Sequence, residues 1–213
     1  MLTLKSFAFN PLAENTYVLN DQKDACIIID PGCYFDNERV ALQEYIEQQS
    51  LSPKILLNTH CHLDHVFGNK FVYETWDLPL YLHEKELPVL DAAPAMGKSW
   101  GMPFENYNGD LHFLVPGETI LLGDDRLTIL FLPGHSPGSV GFYCASQGFI
   151  IGGDVLFHES IGTSDLPGGD HATLLRSIRE QLLTLPNDTI VYPGHGEPTT
   201  IGHERAHNPF LQR

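Results

Sequence analysis

Thr59-His60-Cys61-His62-Leu63-Asp64-His65 follows the apolar run Ile55-Leu56-Leu57 and places three imidazoles and one carboxylate within six residues. His60 and His62 are two apart, so on extended backbone their side chains project to the same side. Asp64 and His65 follow where the chain turns toward a helical segment, and they aim from a different angle. Imidazole nitrogen and carboxylate oxygen are the donors that a divalent cation such as zinc accepts. One ion rarely takes four ligands from six residues and others besides, so the cluster points to two metals.

An isolated His-x-His is more often a polar turn than a site, and three further runs decide against that reading. Ile129-Leu130-Phe131-Leu132 leads through Pro133-Gly134 to His135; Phe149-Ile150-Ile151 leads through Gly152-Gly153 to Asp154; Ile190-Val191-Tyr192 leads through Pro193-Gly194 to His195. Four strand-like runs that each end in a ligand type describe one edge of a sheet carrying one site, and α/β sheets bind ligands at such strand ends.

Elsewhere the pattern is that of a mixed α/β chain. Thr3–Phe9, Asn15–Leu19 and Ala25–Ile29 read as a β-meander with a turn at Asn10-Pro11 and a stop at Asp30-Pro31-Gly32. Asp36 is placed to cap a helix to about Gln49, with Val40, Ala41, Tyr45 and Ile46 as its inner face. After His65, Phe67, Phe71 and Val72 have helical spacing to about Trp76, and Asp64 near that helix start is favourable even without metal. Residues 83–110 are the least regular. His83–Leu90 suggests a short helix, and Pro94, Gly97, Gly101 and Pro103 break the chain beyond it. The aromatic-rich remainder is expected to be a lid beside the site. Strands are predicted at Thr119–Leu122, Leu127–Leu132, Ser139–Cys144, Gly148–Ile151 and Thr189–Tyr192. Asp170 caps an amphipathic helix with Leu174, Ile178, Leu182 and Leu185 inward, ended by Pro186-Asn187.

At 213 residues the chain, 1–213, is expected to be one domain with a substantial core. Its 42% hydrophobic and 18% charged residues are those of a soluble globular protein. Twelve Lys and Arg against a net charge of −15 argue against a nucleic-acid partner, because phosphate backbones are held by clustered cations. The cysteines Cys26, Cys33, Cys61 and Cys144 form no Cys-x-x-Cys pair; Cys26 reads as core filler, and Cys61 should point away from His60 and His62. Met1–Lys5 begins no secretion signal and no apolar run reaches membrane-spanning length, so a cytoplasmic protein acting on a small molecule, with no membrane partner, is expected.

His60-x-His62-x-Asp64-His65 followed by His135, Asp154 and His195 resembles the metallo-β-lactamase-fold hydrolase superfamily, over nearly the whole chain. Pro133–Ser139, Gly153–Phe157 and Pro193–Gly196 are similar to glyoxalase II-like (hydroxyacylglutathione hydrolase-like) proteins, and Ser160–Asp170 to their short, single-domain branch. The resemblance implies a four-layer αββα sandwich of two mixed sheets flanked by helices. It also implies two divalent metals, zinc first and iron as the alternative. His60, His62 and His135 are given to the first metal and Asp64, His65 and His195 to the second. Asp154 bridges both, and Asp64 and Asp154 serve as the catalytic carboxylates. The implied activity is hydrolysis of thioesters by a hydroxide held between the metals. Alternatives within the same fold are a mono-iron persulfide dioxygenase using His60 or a neighbour with His135 and Asp154, and a lactonase or esterase. A β-lactamase is disfavoured, because two-zinc lactamases usually carry a Cys where Asp154 stands. The remaining histidines, His83, His112, His158, His171, His203 and His207, are expected to be exposed, with a role beside Asp154 open to His158. Only eighteen residues follow His195, so the helical glutathione-contacting domain of typical glyoxalase II enzymes is expected to be absent. In similar short proteins the loop reads Ile-Gly-Arg-Thr-Asp; here the Arg position is Thr163.

Overall fold

Thr3–Phe9 (β1), Glu14–Asn20 (β2) and Ala25–Ile29 (β3) form the antiparallel meander predicted for the first thirty residues. Cys26 to Ile29 are all buried, so both faces of β3 are covered by packed layers. From β3 onward the pairing becomes parallel, through Ser52–Leu57 (β4), Leu80–Leu82 (β5) and Leu111–Phe113 (β6). Parallel neighbours need a long crossover. Asp36–Gln48 (α1) supplies the first; Leu63–Val66 (α2) and Asn69–Trp76 (α3) supply the second. Because β3, β4 and β5 run the same way, Asp30, the His60 stretch and His83 all emerge at one edge of this sheet.

The computed structural model describes residues 1–212, in two compact units: residues 1–114 with 122–125, and residues 115–121 with those from 126 onward. The second sheet has the order β14-β13-β10-β9-β8-β7, from Thr119–Leu122 (β7), Asp125–Phe131 (β8), Val140–Cys144 (β9), Phe149–Gly153 (β10), Ile190–Pro193 (β13) and Thr199–Thr200 (β14). Within it β10 and β13 are parallel partners, from Phe149 opposite Ile190 to Gly153 opposite Pro193 with a one-residue register shift after Ile151, so Asp154 and His195 leave the same edge. A hairpin of Leu156–Phe157 (β11) and Ser160–Ile161 (β12) follows Asp154. Each unit has its own apolar cluster, around Val18, Ile28, Leu42, Leu56 and Val72 in the first, and Leu132, Ile150, Leu174, Ile178 and Val191 in the second. Among the described residues no helix is long and apolar enough to cross a membrane.

Several local expectations are corrected. Helix α1 is not capped by Asp36: Phe35 is the cap residue, and Glu38 reaches back to accept from the backbone of Phe35 (3.0 Å), Tyr34 (2.9 Å) and Asn10 (2.7 Å). Its buried face is Leu42 and Ile46; Val40 is exposed. Nor does Pro94 break the chain, since Leu87–Ser99 (α4) continues through it. Proline lacks the N–H that would bond to the carbonyl four residues back. That orphan carbonyl, Leu90 O, instead accepts from Asn106 Nδ2 at 2.7 Å. Beyond this helix the chain continues as an anchored loop: Tyr107 Oη donates to Asp110 O (2.7 Å), and Phe104 packs edge-on against Phe67 with ring centroids 4.9 Å apart.

The helix predicted from Asp170 holds as far as Leu182 and stops short of Leu185, which is half-buried beyond its end. Asp170 Oδ1 accepts from Thr173 N at 2.7 Å and opens His171–Ser177 (α5), which widens into a π turn over Ile178–Leu182 with Leu183 N bonding to Ile178 O at 2.8 Å. Residues four apart on an α-helix drift round it by about 40°. A wider turn rotates less per residue, which keeps Leu174, Ile178 and Leu182 together and buried. Ile201–His207 (α6) closes the described chain, and neither it nor the short strands β5, β6 and β14 are among the predicted elements.

Candidate metal centre

In the first unit the ligand stretch is held by a carboxylate that the sequence alone marks only as a strand stop. Asp30 is buried and accepts four hydrogen bonds: from Thr59 N (2.7 Å) and Asn58 Nδ2 (3.1 Å) on Oδ1, and from Thr59 Oγ1 (2.5 Å) and His65 Nδ1 (3.1 Å) on Oδ2. With the Thr59 hydroxyl hydrogen committed to Asp30, Thr59 Oγ1 accepts from His60 Nδ1 at 3.1 Å. Both imidazoles are thus protonated at Nδ1 and present a lone pair at Nε2, the tautomer a metal ligand needs. The His60 ring lies 4.0 Å from that of His65 and 4.8 Å from that of His62, so the same-side projection of His60 and His62 is borne out. His65 Nε2 stands 3.8 Å from Asp64 Oδ2. Asp30, with both oxygens occupied by protein hydrogens, orients these histidines and does not itself complete a ligand set.

Further buried polar contacts lock the backbone. Asn10 Nδ2 donates to Asp64 O (3.1 Å) and Gly32 O (3.0 Å), Asn58 Nδ2 to His65 O (3.1 Å), and Cys61 N to Glu86 Oε2 (2.7 Å). At Gly32 a Cβ would lie 2.0 Å from Glu14 Oε2 and 2.5 Å from Asp64 O, so only glycine permits this approach. Glu14 is fully buried, with Oε1 3.8 Å from His65 Nδ1. Burial pushes its carboxyl well above the usual range; His65 opposes this, while Asp30 and Asp64 add to it. Cys61 packs in the apolar cluster as expected, and burial raises its thiol pKa. His83, expected to be exposed, is buried, with Nδ1 accepting from Lys85 N at 3.2 Å.

The second unit repeats the device with a different orienting group. His135 Nδ1 donates to Thr163 O at 2.7 Å, which leaves Nε2 facing Asp154 Oδ2 at 3.6 Å. His195 Nε2 approaches the same oxygen at 3.5 Å. Gly162 makes this possible, since a Cβ there would lie 1.9 Å from Asp154 O and 3.2 Å from His135 Nδ1. His158 is exposed and stacks on His203 rather than on any candidate ligand.

The nitrogen–oxygen separations of 3.5, 3.6 and 3.8 Å are too long for hydrogen bonds. They suit two donors that share one ion with bonds of about 2.0–2.2 Å. Imidazoles with Nδ1 tied back and Nε2 turned toward a buried carboxylate are, in each unit taken by itself, the donor chemistry of a zinc-like or iron-like cation.

A sequence model of the metallo-beta-lactamase superfamily matches residues 9–195. The chain belongs to that superfamily. Among its metallo-β-lactamase-fold relatives is YqgX of Bacillus subtilis, described as a probable metallo-hydrolase and 42% identical over 202 residues, which cover 94% of this chain and 93% of that one. Hydroxyacylglutathione hydrolase GloC of Haemophilus influenzae is 40% identical over 200 residues, covering 91% and 90%. Solved structures that it matches include the BLEG-1 B3 metallo-beta-lactamase, with a TM-score of 0.90 and 39% identity over 99% of this chain and 100% of that one. Another is TTHA1623 in a di-iron-bound form, at 0.88 and 38% over 97% and 100%. The mixed α/β class and the metallo-β-lactamase fold implied by the motifs are therefore correct, and the seven candidate ligands all lie within the matched residues.

Proposed function

We propose that His60, His62, Asp64, His65, His135, Asp154 and His195 together hold two divalent metal ions, and that the protein is a glyoxalase II-like hydrolase of thioesters. The observation that carries the metal reading is the fixing of His60, His65 and His135 through Nδ1, by Thr59 Oγ1, Asp30 Oδ2 and Thr163 O in turn, which presents each Nε2 as a donor. The thioester reading is supported by the 40% identity to a hydroxyacylglutathione hydrolase over nine-tenths of both chains. One family model spans both compact units, which supports their working as a single domain.

When bound, the metals supply Lewis acidity and lower the pKa of water toward neutrality. The chain does the rest. Asp30 and Thr163 O keep the imidazole protons on Nδ1, and Asp64 and Asp154 are the carboxylates that meet the reacting water and orient it. A thiolate leaving group has a pKa near 8.5 and departs with little help from an acid, so the protein needs no separate proton donor.

Elemental analysis of protein purified without chelator is expected to give about two divalent ions per chain, since seven donors exceed what one tetrahedral ion uses. Turnover of a small thioester by the same sample is expected to be independent of oxygen. A second reading is a mono-iron persulfide dioxygenase; a 38% identical protein has been solved in a di-iron-bound form, which supports iron as a metal for this fold but with two ions rather than one. One iron per chain with oxygen consumption on a persulfide would replace the hydrolase assignment. A β-lactam belongs in the same assay, because the 39% identical BLEG-1 is a B3 metallo-beta-lactamase.

Substrate preference turns on Thr163. Its carbonyl is taken by His135, but its side chain is exposed, with Oγ1 3.4 Å from Asp165 N. An Arg side chain can hold a carboxylate by paired, charge-assisted hydrogen bonds, and a threonine hydroxyl cannot. Such a contact is worth about 1.5–3 kcal/mol, roughly ten- to a hundredfold in affinity. Thr163→Arg is therefore expected to raise kcat/KM for a glutathione thioester by about tenfold or more, while a small neutral thioester is unaffected. Equal kcat/KM changes on the two esters would rule out a carboxylate contact.

A further inference from the structure

Outside the seven candidate ligands, the second unit brings three more metal-ligand side chains together. His158 and Glu159 form the turn of the β11–β12 hairpin, and His203 lies in the first turn of α6. Their donor atoms all lie within 4.8 Å of one another, and His203 Nε2 is 3.1 Å from Glu159 Oε1. The His158 and His203 rings stack with centroids 4.8 Å apart at 15°, and His207, one turn further along α6, brings a third ring to 4.8 Å from His203.

The frame behind this cluster is rigid and buried. Glu159 has φ 53°, a left-handed conformation unfavourable for a residue with a Cβ. Its N–H donates to Glu204 Oε2 at 2.9 Å, and Glu204 is wholly buried. Thr199 Oγ1 donates to Glu204 Oε1 at 2.5 Å, while Asn208 Nδ2 donates both to Glu204 Oε2 (2.7 Å) and to Ser160 O (3.0 Å). His203 N is capped by Thr200 Oγ1 at 3.2 Å. Arg205, the nearest cation in sequence, is turned away to Asn187 Oδ1 and Leu183 O.

We propose that His158, Glu159 and His203 form a further metal site that takes a divalent transition-metal ion such as Zn²⁺ or Cu²⁺, clipping the hairpin to α6. Two imidazoles and a carboxylate select this class over Mg²⁺ and Ca²⁺, which prefer all-oxygen sets. With metal–ligand bonds of about 2.0–2.2 Å the donors must close to roughly 3–4 Å. Partly exposed side chains do this by rotating about their own bonds while the Glu204 frame keeps the backbone still. The fourth position falls to His207 or water.

The test uses protein with its resident metals in place, dialysed against micromolar ZnCl₂ or CuSO₄ near neutral pH. Wild type is expected to take up one equivalent more than the Glu159→Gln/His203→Gln double variant, and Cu²⁺ in wild type alone is expected to show nitrogen hyperfine structure in its EPR spectrum above the resident signal. Either single variant should bind the added ion at least about tenfold more weakly. Thermal melting without added metal, resident metal content and thioester turnover should match in wild type and variants, which separates this site from the seven-residue centre. Equal uptake by wild type and the double variant, or no added uptake by wild type, overturns the proposal and leaves the cluster as a surface ion pair.

Discussion

Asp154→Ala is expected to strip metal from the protein and to lower turnover by roughly a hundredfold or more, beyond the loss from replacing any one candidate histidine. The reason lies in the geometry of a single atom. Oδ2 of Asp154 faces both His135 Nε2 and His195 Nε2, at 3.6 and 3.5 Å. Each imidazole serves one ion in the proposed arrangement, whereas this carboxylate serves both. Removing it also takes away the negative charge that, in the proposed arrangement, offsets the repulsion between two cations. Metal content and turnover must be read on the same samples, alongside His135→Ala and His195→Ala. Full turnover in Asp154→Ala would show that the reacting centre lies elsewhere.

Asp30→Ala should be the most destabilising substitution of a residue that touches no substrate. It removes the acceptor of four buried hydrogen bonds, from Thr59 N, Thr59 Oγ1, Asn58 Nδ2 and His65 Nδ1, of which Asn58 Nδ2 keeps a second bond, to His65 O. Breaking a buried charged network from one side typically costs about 3–5 kcal/mol. Urea unfolding of the metal-loaded protein measures that loss, and elemental analysis should show depleted metal, because His60 and His65 lose what fixes their tautomer. Asp30→Asn, which keeps the shape and one acceptor oxygen, should fall between the two. A loss below about 1 kcal/mol in the alanine variant would mean that the network is replaceable by water and does not position the histidines.

The four strand ends that carry candidate ligands are legible in the sequence because each is written locally: an apolar run, a small or turn-forming residue, then His or Asp. The meander and the Asp170 cap are legible for the same reason. Asp30 is not, since its meaning lies in partners 28 to 35 residues away, and a lone Asp before Pro-Gly looks the same whether it ends a strand or holds a histidine. Glu86 and Cys61 N, 25 residues apart, pose the same difficulty. Strands of two or three residues, such as β5 and β14, carry too few positions to show a period. Pro94 misleads because the compensating Asn106 lies outside the helix. Val40 misleads because its neighbour Ala41 suggests a face one step away from that of Leu42 and Ile46.

All four cysteines are free and buried, and burial pushes the thiols of Cys26 and Cys33 up to about 12. Thiolate is the reactive form, and it is scarce for these groups near neutral pH. A disulfide-exchange dye added to the intact protein should therefore find little to react with, and each thiol it captures marks an opening event. Cys61 sits between His60 and His62, so its rate of capture is a built-in clock for the ligand stretch coming apart. Comparing that clock with and without chelator would read how strongly metal holds the stretch closed, with no engineered probe.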